Sequence, residues 1–147
     1  MKTSIVLGLL RSGDRVLFVK QNYGSYSWML PGGHVRPDES LAQAITRKMN
    51  EEVGLAVEVH GLVALRDQAD AQVAVLAVAP QDLTVHAATS PGLAAIHWLD
   101  VADLKALQEP VFEFDRFIAH RALQQGSNML LHQVWEVPDD LPTDAYY

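Results

Sequence analysis

The sequence predicts an α+β domain in which a mixed β-sheet lies between helices. Strand-like stretches stand on both sides of one capped helical segment, and a second long amphipathic helical segment follows near the end of the chain. A length of 147 residues supports one domain. A chain of that size buries roughly 68 to 70% of its unfolded surface, enough for a core without staples.

Thr3 to Leu10 is apolar and β-branched at its start, and Arg11-Ser12-Gly13-Asp14 is turn-like. Arg15 to Lys20 alternates as the returning strand of a hairpin. Gln21 to Ser27 reads as a polar loop containing Tyr23 and Tyr26. These tyrosines and Trp28 either stack on a base or cover a core edge. Pro31-Gly32-Gly33 is a turn signal, since paired glycines reach positive φ and admit close approach to the main chain. A helix is predicted over Glu39 to Val53, with Asp38 as N-cap and Gly54 as the closing C′ residue. Leu55 to Leu65 and Gln72 to Ala79 read as strands around a polar turn at Arg66 to Ala71. Leu83 to Ala88 and Ala95 to Leu99 are further strand candidates. Val101 to Leu107 is a short helix after Asp100, and Glu113 to Gln125 a longer one stopped at Gly126. Phe114, Phe117, Ile118 and Leu123 form much of its predicted buried side, and Met129 to Val137 is a candidate last strand.

At 100° per residue, Leu41, Ala42, Ile45, Met49 and Val53 gather on one side of the central helix as a core-facing stripe. Beside it, Glu51 and Glu52 lie one turn beyond Arg47 and Lys48, so all four side chains come within reach of one another. Hard divalent cations prefer oxygen ligands, and adjacent carboxylates near a glycine turn with free carbonyls make a partial coordination shell.

The spacing over Pro31 to Leu55 resembles the signature of the Nudix hydrolase family. That signature is a glycine, five residues, a glutamate, seven residues, then Arg-Glu-apolar-any-Glu-Glu-any-Gly-apolar. Gly33, Glu39, Arg47, Met49, Glu51, Glu52, Gly54 and Leu55 fall in register, after a Trp28-Met29-Leu30-Pro31-Gly32 lead-in. The resemblance is strong over residues 28 to 55 and weaker at Ile96 to Leu104. It implies an α/β/α sandwich with a mixed sheet, and metal-dependent cleavage of a pyrophosphate linkage in a nucleoside diphosphate derivative. Carried over by position, Glu51, Glu52 and the Gly32 carbonyl hold Mg²⁺ or Mn²⁺, and Arg47 with Glu39 is the supporting ion pair. The resemblance also suggests a homodimer.

One fixed position departs from the pattern, for Lys48 stands where the family has glutamate. A protonated ammonium group has no lone pair for a metal, and this one lies within reach of both Glu51 and Glu52. It weakens metal binding rather than forbidding it. A second reading therefore stands beside the hydrolase: a catalytically impaired nucleotide-binding or regulatory module in which Lys48 closes the site to metal or grips phosphate. Leu83 to Leu99 contains no Asp or Glu, so a further carboxylate of the kind some relatives carry there is absent. Glu109 and Glu113 are the candidate replacements, although Glu113 also suits a helix first turn for dipole reasons. His34 is a candidate phosphate contact or a base near the site, Arg36 a candidate phosphate clamp, or the two are plain structural and surface residues, and Tyr26 and Gln108 lie in loops that read the substrate in relatives.

Eleven basic against 18 acidic residues give a formal charge of −7, which argues against long nucleic acid as a partner. A small polyphosphate escorted by a cation is compatible with it. The absence of cysteine fits a reducing cytoplasm and excludes thiolate chemistry. The apolar runs at Ile5 to Leu10 and Val73 to Pro80 fall far below the roughly 20 residues of a membrane span, and the N-terminus does not read as a signal peptide. The expectation is a soluble cytoplasmic protein acting on a small nucleotide-like diphosphate.

Overall fold

The computed structural model describes residues 2–81, 92–125, 138 and 140–142. The strands are β1 (Thr3–Ser12), β2 (Arg15–Gln21), β3 (Trp28–Met29), β4 (Gly32–His34), β5 (Val57–Asp67), β6 (Ala71–Pro80) and β7 (Leu93–Leu99). The helices are α1 (Leu41–Val53), α2 (Val101–Ala106) and α3 (Glu113–Gln124). The strand order is β3-β2-β1-β6-β5, with β4 joined to β1 and β7 to β2. β1 runs parallel to β6 and every other strand pair is antiparallel, so the sheet is mixed, as the sequence predicts.

β1 is buried without interruption from Ile5 to Leu10. Alternate residues of a strand point to opposite faces, so continuous burial requires cover on both sides of the sheet. α1 lies against β1, β4, β5 and β6, while α2 and α3 lie against β7 and β2. β1 also changes partner along its length. Ile5 to Leu7 pair with β4, whereas Arg11 and Ser12 pair with β2. Between them the Gly8 N–H donates to the Pro31 carbonyl at 2.8 Å. The sheet therefore splits at β1, and the glycine turn enters the split.

Two strands, β3 and β4, have no counterpart among the predicted elements: β3 directly follows the polar loop and β4 lies in the glycine turn. Each is only two or three residues long and consists of or adjoins turn-forming residues, so periodicity carries no signal there. The α1 boundary also differs from expectation. Ser40, not Asp38, is the N-cap, because Ser40 Oγ accepts from the Gln43 N–H while the Gln43 side chain accepts from the Ser40 N–H. Gly54 closes the helix in the left-handed conformation, as expected. Leu41 and Ala42 of the predicted stripe are exposed, and burial begins one turn later with Ala44. The strand candidates at Leu83 to Ala88 and Met129 to Val137, and the stop at Gly126, lie outside the described residues. Among those residues no helix is long and apolar enough to cross a membrane.

α3 is tied to the centre of the molecule by a group that the apolar pattern does not reveal. Asp115 is fully buried, and its Oδ2 accepts the Leu30 N–H at 2.7 Å, immediately before the glycine turn. Phe117 and Leu123 of the predicted stripe are half-buried, while Phe114, Asp115, Ile118, Ala119 and Ala122 form the buried side. Asp115→Ala leaves a buried N–H without its acceptor and is expected to destabilise the protein by about 1 to 3 kcal/mol. Urea denaturation measures this directly, and an unchanged midpoint would show that the bond contributes nothing net.

Candidate functional site: the glycine turn and the charged face of α1

The turn at 31–33 is built on an exclusion. Gly32 has φ +151°, and a Cβ there would overlap the Val6 carbonyl oxygen and stand 2.9 Å from the Leu7 Cα. Only a residue without a side chain lets β4 lie this close to β1. The same closeness brings the Gly32 N–H onto the carboxylate of Glu52, which projects from α1 into the interior. Glu52 is 5% exposed and sits among Ile45, Met49 and Val53 on the buried face. It does not share the exposed position of Glu51.

Burial pushes the Glu52 carboxyl above its usual range, because a charge in a low-dielectric interior loses its hydration. Two things oppose that push. The Lys48 ammonium lies 3.0 Å from Oε1, and the Gly32 N–H donates to the carboxylate. Lys48 stands 3.9 Å from Glu51 Oε2, so it faces both carboxylates but is seated on the buried one.

Arg47 is the second cation and has other partners. Its Nε and Nη2 donate to the two oxygens of Glu39 at 2.7 and 2.8 Å, a fork-on-fork pair. Nη2 also donates to the His34 carbonyl at 3.1 Å, and Nη1 to Glu51 Oε2 at 3.2 Å. Glu39 accepts the Arg36 N–H in addition, at 3.0 Å. The capping role taken by Ser40 leaves Glu39 available for this. The Arg47 guanidinium holds the Glu39 carboxyl at about 2, well below its ordinary 4.5, and Glu39 in turn raises Arg47.

Together these residues line a cleft of about 250 Å³, whose walls are Tyr23, Met29, Gly32, Gly33, His34, Arg36, Arg47, Lys48, Glu52, Gly92 and Leu93. The structure therefore brings His34, Arg36, Arg47, Lys48, Gly32 and Glu52 together, with Glu39 and Glu51 bonded to Arg47 behind them. Tyr26 and Gln108 do not line this cleft. Tyr26 is 56% exposed at the loop tip, with φ 52°, and Tyr23 is the loop tyrosine that reaches the wall. Met29, Gly92 and Leu93 are wall residues that sequence reasoning did not single out. The Pro91-Gly92 turn dipeptide is the available signal for one of them.

Neither replacement carboxylate stands on the cleft. Glu109 accepts from Lys20 Nζ and, at 2.9 Å, from Trp28 Nε1. Trp28 leaves β3 on the face opposite its neighbour Met29, which lines the cleft. Glu113 stands 3.4 Å from Arg116 on a separate hollow of about 370 Å³, walled by Leu104, Lys105, Phe117, His120 and Leu141. That hollow is larger, but the convergent charges lie in the smaller cleft.

The Glu39–Arg47 pair makes folding sensitive to acid. A folded carboxyl near 2 stays ionised where its unfolded counterpart, near 4.5, takes up a proton. Stability contributed above 4.5 is thus lost as pH falls from about 4.5 towards 2. Glu39→Gln is expected to flatten that part of the stability–pH curve, measured by urea denaturation at stepped pH. A variant curve parallel to wild type would assign the acid sensitivity to other carboxylates.

With this geometry in view, comparison with known proteins is informative. The family model described as NUDIX domain matches residues 1–120. An 8-oxo-dGTP diphosphatase of Buchnera aphidicola subsp. Schizaphis graminum (strain Sg) is 33% identical over 58 residues, 37% of this chain and 45% of that protein. The chain thus spans less than half the length of that curated relative. Among solved structures, a NUDIX hydrolase from Nitrosomonas europaea superposes with a TM-score of 0.73 at 18% identity, covering 84% of this chain and 71% of the other. An ADP-ribose pyrophosphatase from Streptococcus suis 89-1591 gives 0.71 at 16% identity, covering 92% and 100%. At such identities these two report on the fold, which they share with this chain. Since the family model spans most of the sequence and the glycine turn and charged helix lie inside it, the chain belongs to the NUDIX domain family.

Proposed function

We propose that the chain is a hydrolase of a pyrophosphate linkage in a small nucleotide-like diphosphate, assisted by Mg²⁺ or Mn²⁺. The observation that carries this reading is the charge of the cleft. On a chain of formal charge −7, Arg36 and Lys48 converge on the wall beside a glycine turn, with Arg47 held there by Glu39 and Glu51 and with one wall carboxylate, Glu52. An anionic group of diphosphate size is the complement to such a wall.

Among the described residues no group of three or more acidic, histidine or cysteine side chains is placed to hold a metal. Mg²⁺, however, is commonly held by one or two carboxylates together with substrate phosphates and water. Glu52 on the wall, Glu51 and the Gly32 carbonyl are the groups that would hold an ion of that kind, one that enters with its substrate. Such an ion offsets charge on the phosphate oxygens and lowers the pKa of a bound water.

The remaining work falls to the chain itself. Arg47 is saturated by Glu39, Glu51 and the His34 carbonyl, so its part is to lock α1 to the strand after the turn. Arg36 and His34 stand at the mouth, where they orient the phosphates. Glu52, buried and paired with Lys48, is the wall carboxylate that a cation would meet. Tyr23 and Leu93 offer a wall for the group attached to the diphosphate. A second reading, the binding or regulatory module, is favoured by one distance: Lys48 at 3.0 Å from Glu52 fills the position that a divalent ion would take.

Phosphate release from nucleoside triphosphates, nucleotide sugars and dinucleotide polyphosphates, with added pyrophosphatase and Mg²⁺ or Mn²⁺, separates the two. Wild type is expected to turn over a member of the panel, and Glu52→Gln to lower that rate by roughly 10²-fold. If only Lys48→Glu is active, the hydrolase reading fails and the natural role is binding.

A further inference from the structure

We infer that Lys48 is a built-in counter-ion for the phosphates, so that this cleft binds a diphosphate without any divalent metal. The inference deepens the reading of the cleft as a diphosphate site and rests on it. Three features lead to it. Lys48 is seated rather than free: a Cβ on Gly33 would stand 2.9 Å from Lys48 Cε and 3.3 Å from Nζ, so the alkyl stem lies on the glycine turn. Its ammonium then faces Glu52 at 3.0 Å, on a wall shared with Arg36 and Arg47. Finally, Lys48 is the cation of that wall whose partners are both carboxylates of the charged helix, Glu52 close and Glu51 at 3.9 Å.

An ammonium has three donors. One directed at Glu52 Oε1 leaves others for an oxyanion entering over the turn, so the cation need not abandon its carboxylate to meet a phosphate. The stem's packing on Gly33 holds the head at the mouth, which lowers the entropy lost when the ligand arrives. Arg47 does not serve in this way, because its fork is occupied by Glu39, Glu51 and a backbone carbonyl. In this arrangement the Glu52 carboxylate offsets part of the ammonium charge that an entering ligand feels. Neutralising Glu52 therefore strengthens metal-free binding while it removes a metal donor. A site that depended on the divalent ion for all of its affinity would respond in the opposite direction.

Isothermal titration with inorganic pyrophosphate in excess EDTA tests this, using wild type, Lys48→Met, Lys48→Arg and Glu52→Gln, each first checked for a cooperative thermal transition. Wild type is expected to bind, Lys48→Met to bind more weakly by roughly tenfold or more, Lys48→Arg to retain most of the affinity, and Glu52→Gln to bind more tightly. Lys48→Met keeps the stem over Gly33, so its loss of binding isolates the charge. Equal affinity for wild type and Lys48→Met overturns the inference. So does a wild type that binds pyrophosphate only when Mg²⁺ replaces EDTA, although the hydrolase reading then survives. Failure to bind in either condition overturns both.

Discussion

A side chain at position 32 would have to share space with the Val6 carbonyl oxygen, and the arrangement of the cleft follows from that exclusion. Because glycine stands there, β4 can lie against the first half of β1. The Gly32 N–H then meets Glu52, and α1 is held at the depth at which its buried face carries a carboxylate. A wider turn would leave Glu52 either without its N–H donor or out in water. Its burial and its pairing with Lys48 are thus consequences of a backbone contact made about twenty residues earlier in the chain. The Asp115 bond to Leu30 fixes the other end of the same turn, from the opposite side of the sheet.

The two adjacent cations of α1 divide the electrostatic work. Arg47 has a planar fork and is used as a fastener, with carboxylates on two sides and a carbonyl on a third. Lys48 has a compact head on a flexible stem and is used where a charge must face an open space. Exchanging the two residue types would not preserve either role, because bidentate geometry and rotational freedom are different properties. One further consequence concerns metal. An ammonium already seated on Glu52 sets a threshold that any incoming divalent ion would have to overcome.

Much of this was legible in the residues. The mixed sheet, α1, its C′ glycine and the register of the charged pattern all follow from periodicity, capping chemistry and spacing. The cap is not legible in the same way, because Asp38, Glu39 and Ser40 are all acceptable helix-start residues. The choice among them was settled by Arg47, which draws Glu39 away, and by Gln43, which answers Ser40. Glu52 and Asp115 were harder to foresee as buried groups, since hydrophobic patterning assigns carboxylates to the surface. Each accepts a backbone N–H from a distant segment, Glu52 from Gly32 and Asp115 from Leu30, and Glu52 faces Lys48 as well. The placement of Tyr23 rather than Tyr26 on the wall depends on a positive φ at Tyr26, a loop detail without a sequence period.

The parallel pairing of β1 with β6, Thr3 to Ala71 through Leu10 to Val78, carries a consequence for the order of events in synthesis. β1 leaves the ribosome first, yet its partner through the middle of the sheet is made only after the turn, α1 and β5 have appeared. Closing so long a loop is costly, and non-local strand pairing is the slow part of folding. The apolar run Ile5 to Leu10 therefore lacks its longest partner until β6 is made, with β4 and the start of β2 as the earlier strand partners of β1. The helix α1, which carries much of the cleft wall, packs on β1 and β6 together, so its seat is complete only once these two strands have paired.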